Sequence, residues 1–227
     1  MGHVFYMEKG RTHTAPIIGD PHTLLLLHGE QIMDSSPYRV PIQNSGVTVS
    51  PTQSKFGGKA LRFNGGSNLS ISNEKLKTLM SGDCTIEWWE FRENSAGCTF
   101  SLCPVETARY ASQMLFKPAS DTIWSSSDGT DFDEFYNVAI QAAPLNKWVH
   151  NAMVKTGQQI RFYYDGKMIL NLTASYPYEA GNGDLLIGRR LWPSGPAFFT
   201  GYIDEFRISN VARWTSDFTP PTAPYSS

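Results

Sequence analysis

Glu87 and Glu90 lie three residues apart in Glu87-Trp88-Trp89-Glu90, the nearest approach in the chain to the carboxylate pair that glycoside hydrolysis requires. The surrounding run, Cys84-Thr85-Ile86-Glu87-Trp88-Trp89, alternates as a strand does. Cys84, Ile86 and Trp88 therefore share one face, and Thr85, Glu87 and Trp89 share the other. On that reading Glu87 and Glu90 point to opposite faces and cannot flank one glycosidic bond. Asp204-Glu205, adjacent on a later strand, fails in the same way. None of the three cysteines, Cys84, Cys98 and Cys103, sits beside a plausible base or helix N-terminus, so thiol catalysis has no support either. The expectation is a protein that is not an enzyme.

Binding chemistry is better represented. Aromatic faces stack on the C–H faces of sugar rings, while Asn, Asp and Arg satisfy the hydroxyls. The loop aromatics include Tyr110, Trp124, Phe132, Tyr136, Tyr176, Tyr178 and Trp192. Trp192 stands in Arg189-Arg190-Leu191-Trp192-Pro193-Ser194-Gly195-Pro196, which combines stacking with hydrogen-bonding groups. Tyr176-Pro177-Tyr178-Glu179 is a second such loop. Trp192, Arg190, Tyr178, Tyr176 and Trp124 are the candidate carbohydrate-binding residues. Trp88 and Trp148 read as core. Asp128, Asp131, Asp133 and Glu134 crowd one loop, where a hard cation such as calcium competes with a solvated hairpin tip turning at Asp128-Gly129.

The elements that must position these groups are strands. From Leu24 onward, short apolar runs recur every 8–12 residues or so, separated by Gly, Asn, Ser, Asp and Pro, the cadence of a sandwich or barrel. Thr23 to His28, Val47 to Val49, Ala60 to Phe63, Leu69 to Ser72 and Thr85 to Arg92 open the series. Gln113 to Lys117, Asp121 to Ser125 and Tyr136 to Gln141 form its middle. Trp148 to Thr156, Ile160 to Tyr164 and Lys167 to Thr173 make two hairpins with turns at Gly157-Gln158 and Asp165-Gly166; Leu185 to Gly188 and Gly201 to Ser209 close it. Only Asn73 to Met80 and Asn210 to Trp214 offer a helical turn or two. The predicted class is all-β: a two-sheet antiparallel β-sandwich over residues 22–227, preceded by an extended arm over 1–21.

Of the 227 residues, 41% are hydrophobic and 18% charged, enough apolar material for a large core, and the net charge of −2 comes with no basic run for nucleic acid to grip. No apolar stretch reads as a secretory leader or a membrane span. Cys98 and Cys103 are spaced to pair across a short loop, and a reduced state is equally compatible. Sequons at Asn68 and Asn171 read as coincidence in the absence of a leader.

Several segments resemble the laminin-G-like branch of the concanavalin A-like lectins and glucanases. These are Leu25-Leu26-Leu27-His28-Gly29-Glu30, Phe56-Gly57-Gly58-Lys59-Ala60-Leu61-Arg62-Phe63, Asp83 to Trp89, Trp148 to Val154, Ile160 to Lys167, and Gly201 to Ser209 with Phe218-Thr219-Pro220-Pro221. The resemblance implies the concanavalin A-like jelly roll. It also implies a Glu-x-Asp-x-x-Glu strand in the enzymatic members, which this chain lacks. In related jelly rolls an acidic residue near the first strand meets one near the last around calcium; Glu30, Asp34 and Asp204 are the matching candidates, set against Asp204 simply capping the last strand and pairing with an arginine. Ala212-Arg213 and the Phe-Thr-Pro-Pro ending are similar to versions of the domain in bacteriophage structural proteins. The expected role is a non-catalytic, virion-borne or extracellular module whose partner is a surface glycan. The alternative is a structural decorating or bridging subunit, docked on a neighbouring virion subunit through its N-terminal arm. No nucleic acid or membrane partner is expected, and an oligomer is compatible with the sequence.

Overall fold

The computed structural model describes residues 19–102, 114–117, 122–128, 132–191 and 197–226. The N-terminal arm therefore lies almost wholly outside the described residues, as do Cys103, Tyr110, Gly129, Asp131 and Trp192.

Two antiparallel sheets face one another, as the alternation predicts. One sheet is ordered β13 (Lys167–Thr173), β12 (Gln159–Tyr164), β11 (Trp148–Thr156), β6 (Cys84–Arg92), β17 (Thr200–Ser209), β4 (Ala60–Asn64) and β3 (Thr48–Ser50). Its eighth strand, β1 (Thr23–Leu27), pairs with the second half of β17, whose first half pairs with β4. The other sheet is ordered β10 (Phe135–Ala139), β9 (Thr122–Ser125), β8 (Met114–Lys117), β7 (Phe100–Leu102), β14 (Leu185–Ile187), β5 (Asn68–Ile71) and β2 (Gln43–Ser45). A small ribbon of β15 (Arg189–Arg190) and β16 (Ala197–Phe198) follows β14. One helical turn, α1 (Glu74–Lys77), is capped by the Asn73 side chain accepting from Lys75 N–H, and runs into a 3₁₀ turn at Leu79–Ser81. The other expected helical site, Asn210 to Trp214, is not helical: Thr85 Oγ donates to Val211 O and accepts from Arg213 N–H, which holds that segment extended.

The core forms where the inward faces meet. Trp88 packs edge-on to Phe100 at 5.3 Å and lies 6.0 Å from Phe206, tying β6, β7 and β17 together. Ile160, Phe162 and Tyr164 face the same interior, whereas Tyr163 packs on the opposite side of its strand. Trp148 departs from its expected core role. It opens β11 beside Phe91, ring centroids 5.9 Å apart, on the outer face and only partly buried.

The C-terminal segment crosses the outer face of the eight-stranded sheet as a strap, and one carboxylate anchors it. Glu87 Oε1 accepts two hydrogen bonds from Arg207, at 3.0 and 2.6 Å, and Oε2 accepts from Trp214 Nε1 and from Tyr225 OH, each at 3.1 Å. The Arg207 guanidinium lies 3.7 Å from the Tyr225 ring centroid, and Trp214 stacks on Phe218 at 4.1 Å. Gly166, with φ +75°, completes the two-residue Asp165-Gly166 turn and lies under the strap: a Cβ there would sit 1.9 Å from Phe218 O. Gly166→Ala is expected to destabilise by about 1–3 kcal/mol, through the left-handed backbone and the collision together. A urea midpoint unchanged by the substitution would contradict that seating of the strap.

Candidate functional site

Side chains that alternate away from the core line the outer face of the seven-stranded sheet. Strand register places Gln43, Ser70, Leu186 and Ser101 in one row, continued through β8 to Trp124. At the β2–β5 end this face opens into a cleft of about 450 Å³, walled by Gln43, Ser45, Asn68, Ser70, Asn182, Asp184, Leu186, Arg189 and Leu191. Its chemistry is that of hydroxyl recognition: three amides, two hydroxyls, one carboxylate and one guanidinium. Ser70 Oγ donates to Asp184 Oδ2 at 3.1 Å and orients that carboxylate. Arg189, from the ribbon, carries a buried Nε without a hydrogen-bond partner among the described residues. Burial at 7% exposure inside β5 also removes Asn68 as a glycosylation acceptor.

The opposite end of the face is aromatic. Trp124 meets Tyr136 at 4.5 Å and Phe132 at 5.1 Å, and Tyr136 is 63% exposed. Trp124 Nε1 donates to Thr122 Oγ1. Between the two zones the face is covered, because Ser101 is fully buried, Leu186 is nearly so, and β15 packs beside β7.

The sequence candidates divide accordingly. Trp124 belongs to this face, and Arg190 stands half-buried on the ribbon beside the cleft's Arg189, its guanidinium pushed below its ordinary value by desolvation. Trp192 lies outside the described residues. Tyr176 is exposed, in a loop whose Ser175 and Tyr176 N–H groups both donate to Glu134. Tyr178 is corrected: at 4% exposure its ring belongs to the core, its hydroxyl is hydrogen-bonded to Ser125 at 2.6 Å, and burial raises its pKa, so it offers no stacking face.

Glu30, Asp34 and Asp204 do not assemble as a metal-binding set; among the described residues, no group of three or more His, Cys, Asp or Glu is arranged to hold a metal ion. Asp34 is buried and spent on backbone: it accepts from the N–H groups of Leu26, Ser36 and Val40 and from Ser36 Oγ. Asp204 accepts from the N–H groups of Lys55, Phe56 and Glu205. It ties the β17 bulge to the loop before β4. Of the acidic loop residues, Asp133 accepts from Ser127 N–H and Oγ, which leaves it holding its own loop together.

Glu87 and Glu90 do occupy opposite faces, and both are buried; Glu90 accepts from Trp88 Nε1 and Thr99 Oγ1 inside the sandwich. Asp204 and Glu205 behave differently from the expectation. A bulge, with Glu205 at φ +51°, interrupts the β17–β6 register between Asp204 and Arg207. It turns Glu205 outward, where its carboxylate meets His28 Nδ1 and Tyr225 N–H, each at 2.8 Å.

The cleft lies on a scaffold with known relatives. A family model described as the concanavalin A-like lectin/glucanases superfamily, laminin G type, matches residues 63–217. The chain belongs to this superfamily. No curated protein matches it. Among solved structures, domain 4 of AbnA, a GH43 extracellular arabinanase from Geobacillus stearothermophilus in complex with arabinotriose, is similar with a TM-score of 0.61 and 15% identity, over 84% of this chain and 93% of that one. The binding domain of botulinum neurotoxin serotype D/C is similar with a TM-score of 0.61 and 12% identity, over 86% of this chain and 50% of its own. Trypanosoma rangeli sialidase gives a TM-score of 0.60 and 12% identity, over 84% of this chain and 31% of the enzyme. The superfamily member described here spans half or less of the last two chains. The likeness to all three is one of fold.

Proposed function

We propose that this chain is a non-catalytic carbohydrate-binding module, carried on a virion of the bacteriophage type, that recognises a surface glycan. The observation that carries this reading is the polar cleft on the outer face of the seven-stranded sheet. Its amides, hydroxyls, Asp184 and Arg189 converge on a volume of about 450 Å³, within the range of small-ligand sites. The superfamily and the arabinotriose complex of a similar domain support carbohydrate as the ligand class. The phage setting draws on the Ala212-Arg213 and Phe218-Thr219-Pro220-Pro221 ending.

A glycan array probed with purified protein, with calcium and with chelator, tests the reading. Specific binding is expected, and Arg189→Ala should weaken it about ten- to a hundredfold, since a hydrogen bond to a charged group contributes about 1.5–3 kcal/mol. The thermal midpoint of that variant should stay close to wild type. A blank array from folded protein would move the assignment to the structural virion subunit, and release of reducing ends from any polysaccharide would overturn its non-catalytic character.

A further inference from the structure

Near the end of β11, Lys155 faces the interior. It pairs in register with Cys84, at the start of β6, and is only 6% exposed. Lysine is rarely so buried without a counter-charge, because removing an ammonium from water is costly unless it is paired. Here Lys155 makes no ion pair among the described residues. Its Nζ donates to Gly82 O at 3.3 Å and lies 5.8 Å from the Tyr178 ring centroid. Two of its neighbours are neutral: burial pushes the Cys84 thiol up to about 12, and the Tyr178 hydroxyl is tied to Ser125. Asp83 accepts from Gly157 N–H and Glu134 from Ser175 and Tyr176 N–H, and neither pairs with Lys155.

Lys155 forms part of the wall of a pocket of about 240 Å³, with Ser81, Gln158, Tyr176 and Tyr178 among the other walls. Gln158 brings a hydrogen-bonding side chain, Ser81 brings a hydroxyl whose proton goes to Thr78 O, and Tyr176 is 55% exposed. A buried cation, two polar side chains and an exposed aromatic face in one small pocket suit a ring bearing an anionic group. The geometry points to a second binding site, separate from the cleft, that takes an acidic sugar: its carboxylate or sulfate pairs with Lys155 and its ring lies against Tyr176. The site rests on the carbohydrate-binding reading only for the ring; the anion requirement stands on Lys155.

A purely structural Lys155, capping the Gly82 carbonyl and reaching past the apolar floor to solvent, would bind nothing. Titration calorimetry on the full chain separates the two, with glucuronate, galacturonate, glucose and inorganic sulfate as probes. The uronates are expected to bind saturably and glucose at least tenfold more weakly. Lys155→Met and Tyr176→Ala should each lower uronate affinity tenfold or more, and raised salt should weaken it. Tyr176→Ala alters an exposed ring, so it keeps the test open should Lys155→Met fold poorly. Uronate binding untouched by both variants, or no saturable uronate binding, overturns the site. Uronate binding lost in Arg189→Ala but not in Lys155→Met would assign the acidic sugar to the cleft instead, against this inference and in favour of the preceding one. Sulfate bound alone, without either uronate, means an adventitious ion only.

Discussion

Glu87→Leu is expected to destabilise this protein by about 3–5 kcal/mol, the scale on which breaking a buried ion pair leaves its partner charge uncompensated. The carboxylate is fully buried, and its two oxygens accept from Arg207, Trp214 and Tyr225, with His150 Nε2 a further 3.5 Å away. Leucine would strand the Arg207 guanidinium under the strap with no acceptor. Glu87→Gln keeps the volume and one acceptor oxygen, so its expected loss is smaller, about 1.5–3 kcal/mol. Urea denaturation gives the magnitude, and limited proteolysis gives the location. Cleavage within 210–226 should precede global unfolding in the leucine variant, because that strap depends on the carboxylate. Equal resistance of the two proteins would mean that the apolar contacts of Trp214 and Phe218 hold the strap without it. The acid limb of stability belongs to the same group. Burial alone would raise its pKa, but His150 and Arg207 hold it down at about 2. A carboxylate lowered in the folded state contributes stability that is present above its unfolded value and lost as pH falls toward the folded one. For Glu87 that window runs from about pH 4.5 down to about 2.

The parts of this molecule that were legible in the sequence are those where alternation is strict. Cys84, Ile86 and Trp88 face the core, and Glu87 and Trp89 face out, because nothing interrupts the pleat of β6. The turns at Gly157-Gln158 and Asp165-Gly166 fall where the residue types require positive φ. Reading failed where one extra residue breaks the period. The bulge at Glu205 carries no glycine, and its one mark in the sequence is the doubled acid Asp204-Glu205 between the inward Ile203 and Phe206, yet it moves a carboxylate to the other face. β2, Gln43-Asn44-Ser45, lacks any apolar residue because it is an exposed edge strand, and it was therefore invisible as a strand although it walls the cleft. β7 is only three residues long and alternates too briefly to register. The cleft itself is hidden in the sequence for a related reason. Aromatic loops announce stacking by residue type, whereas Asn68, Ser70 and Gln43 occupy ordinary outward strand positions, and only pairing of β2 with β5 brings them together. Tyr176 and Tyr178 read alike in one loop, and the fold sends one to solvent and the other into the core.

Stability is expected to fall as pH rises from about 4 to 7, and Asp204→Asn should remove most of that slope. Asp204 is fully buried at the β17 bulge, where Gly29 leaves room for its carboxylate and Gly57 for that of Glu30. A Cβ on Gly29 would stand 2.7 Å from Asp204 Oδ1, and one on Gly57 would collide with Glu30. Burial is the main reason its pKa rises to about 7; Glu205 and Glu30 add to the rise, and the N–H groups of Phe56 and Lys55 oppose it. Between the ordinary aspartate value and 7 the folded protein holds a proton that the unfolded chain has released. Raising the pH through that interval therefore favours unfolding, by up to about 4 kcal/mol for a rise of roughly three pH units. Asparagine cannot ionise, so the variant should melt higher than wild type at pH 8 and no higher at pH 4. His28 moves in the same direction over a higher window. The hydrogen bond to Glu205 is the main cause that raises its pKa, so its contribution is complete below about 6.5 and fades as pH climbs through the folded value. Glu87 acts below both, with the opposite sign, and the three windows place the stability maximum near pH 4–5. Thermal midpoints between pH 3 and 9 for wild type and Asp204→Asn decide the matter. A wild-type profile that is level from pH 4 to 8 would mean that the three backbone amides outweigh burial and that Asp204 stays ionised in the folded protein.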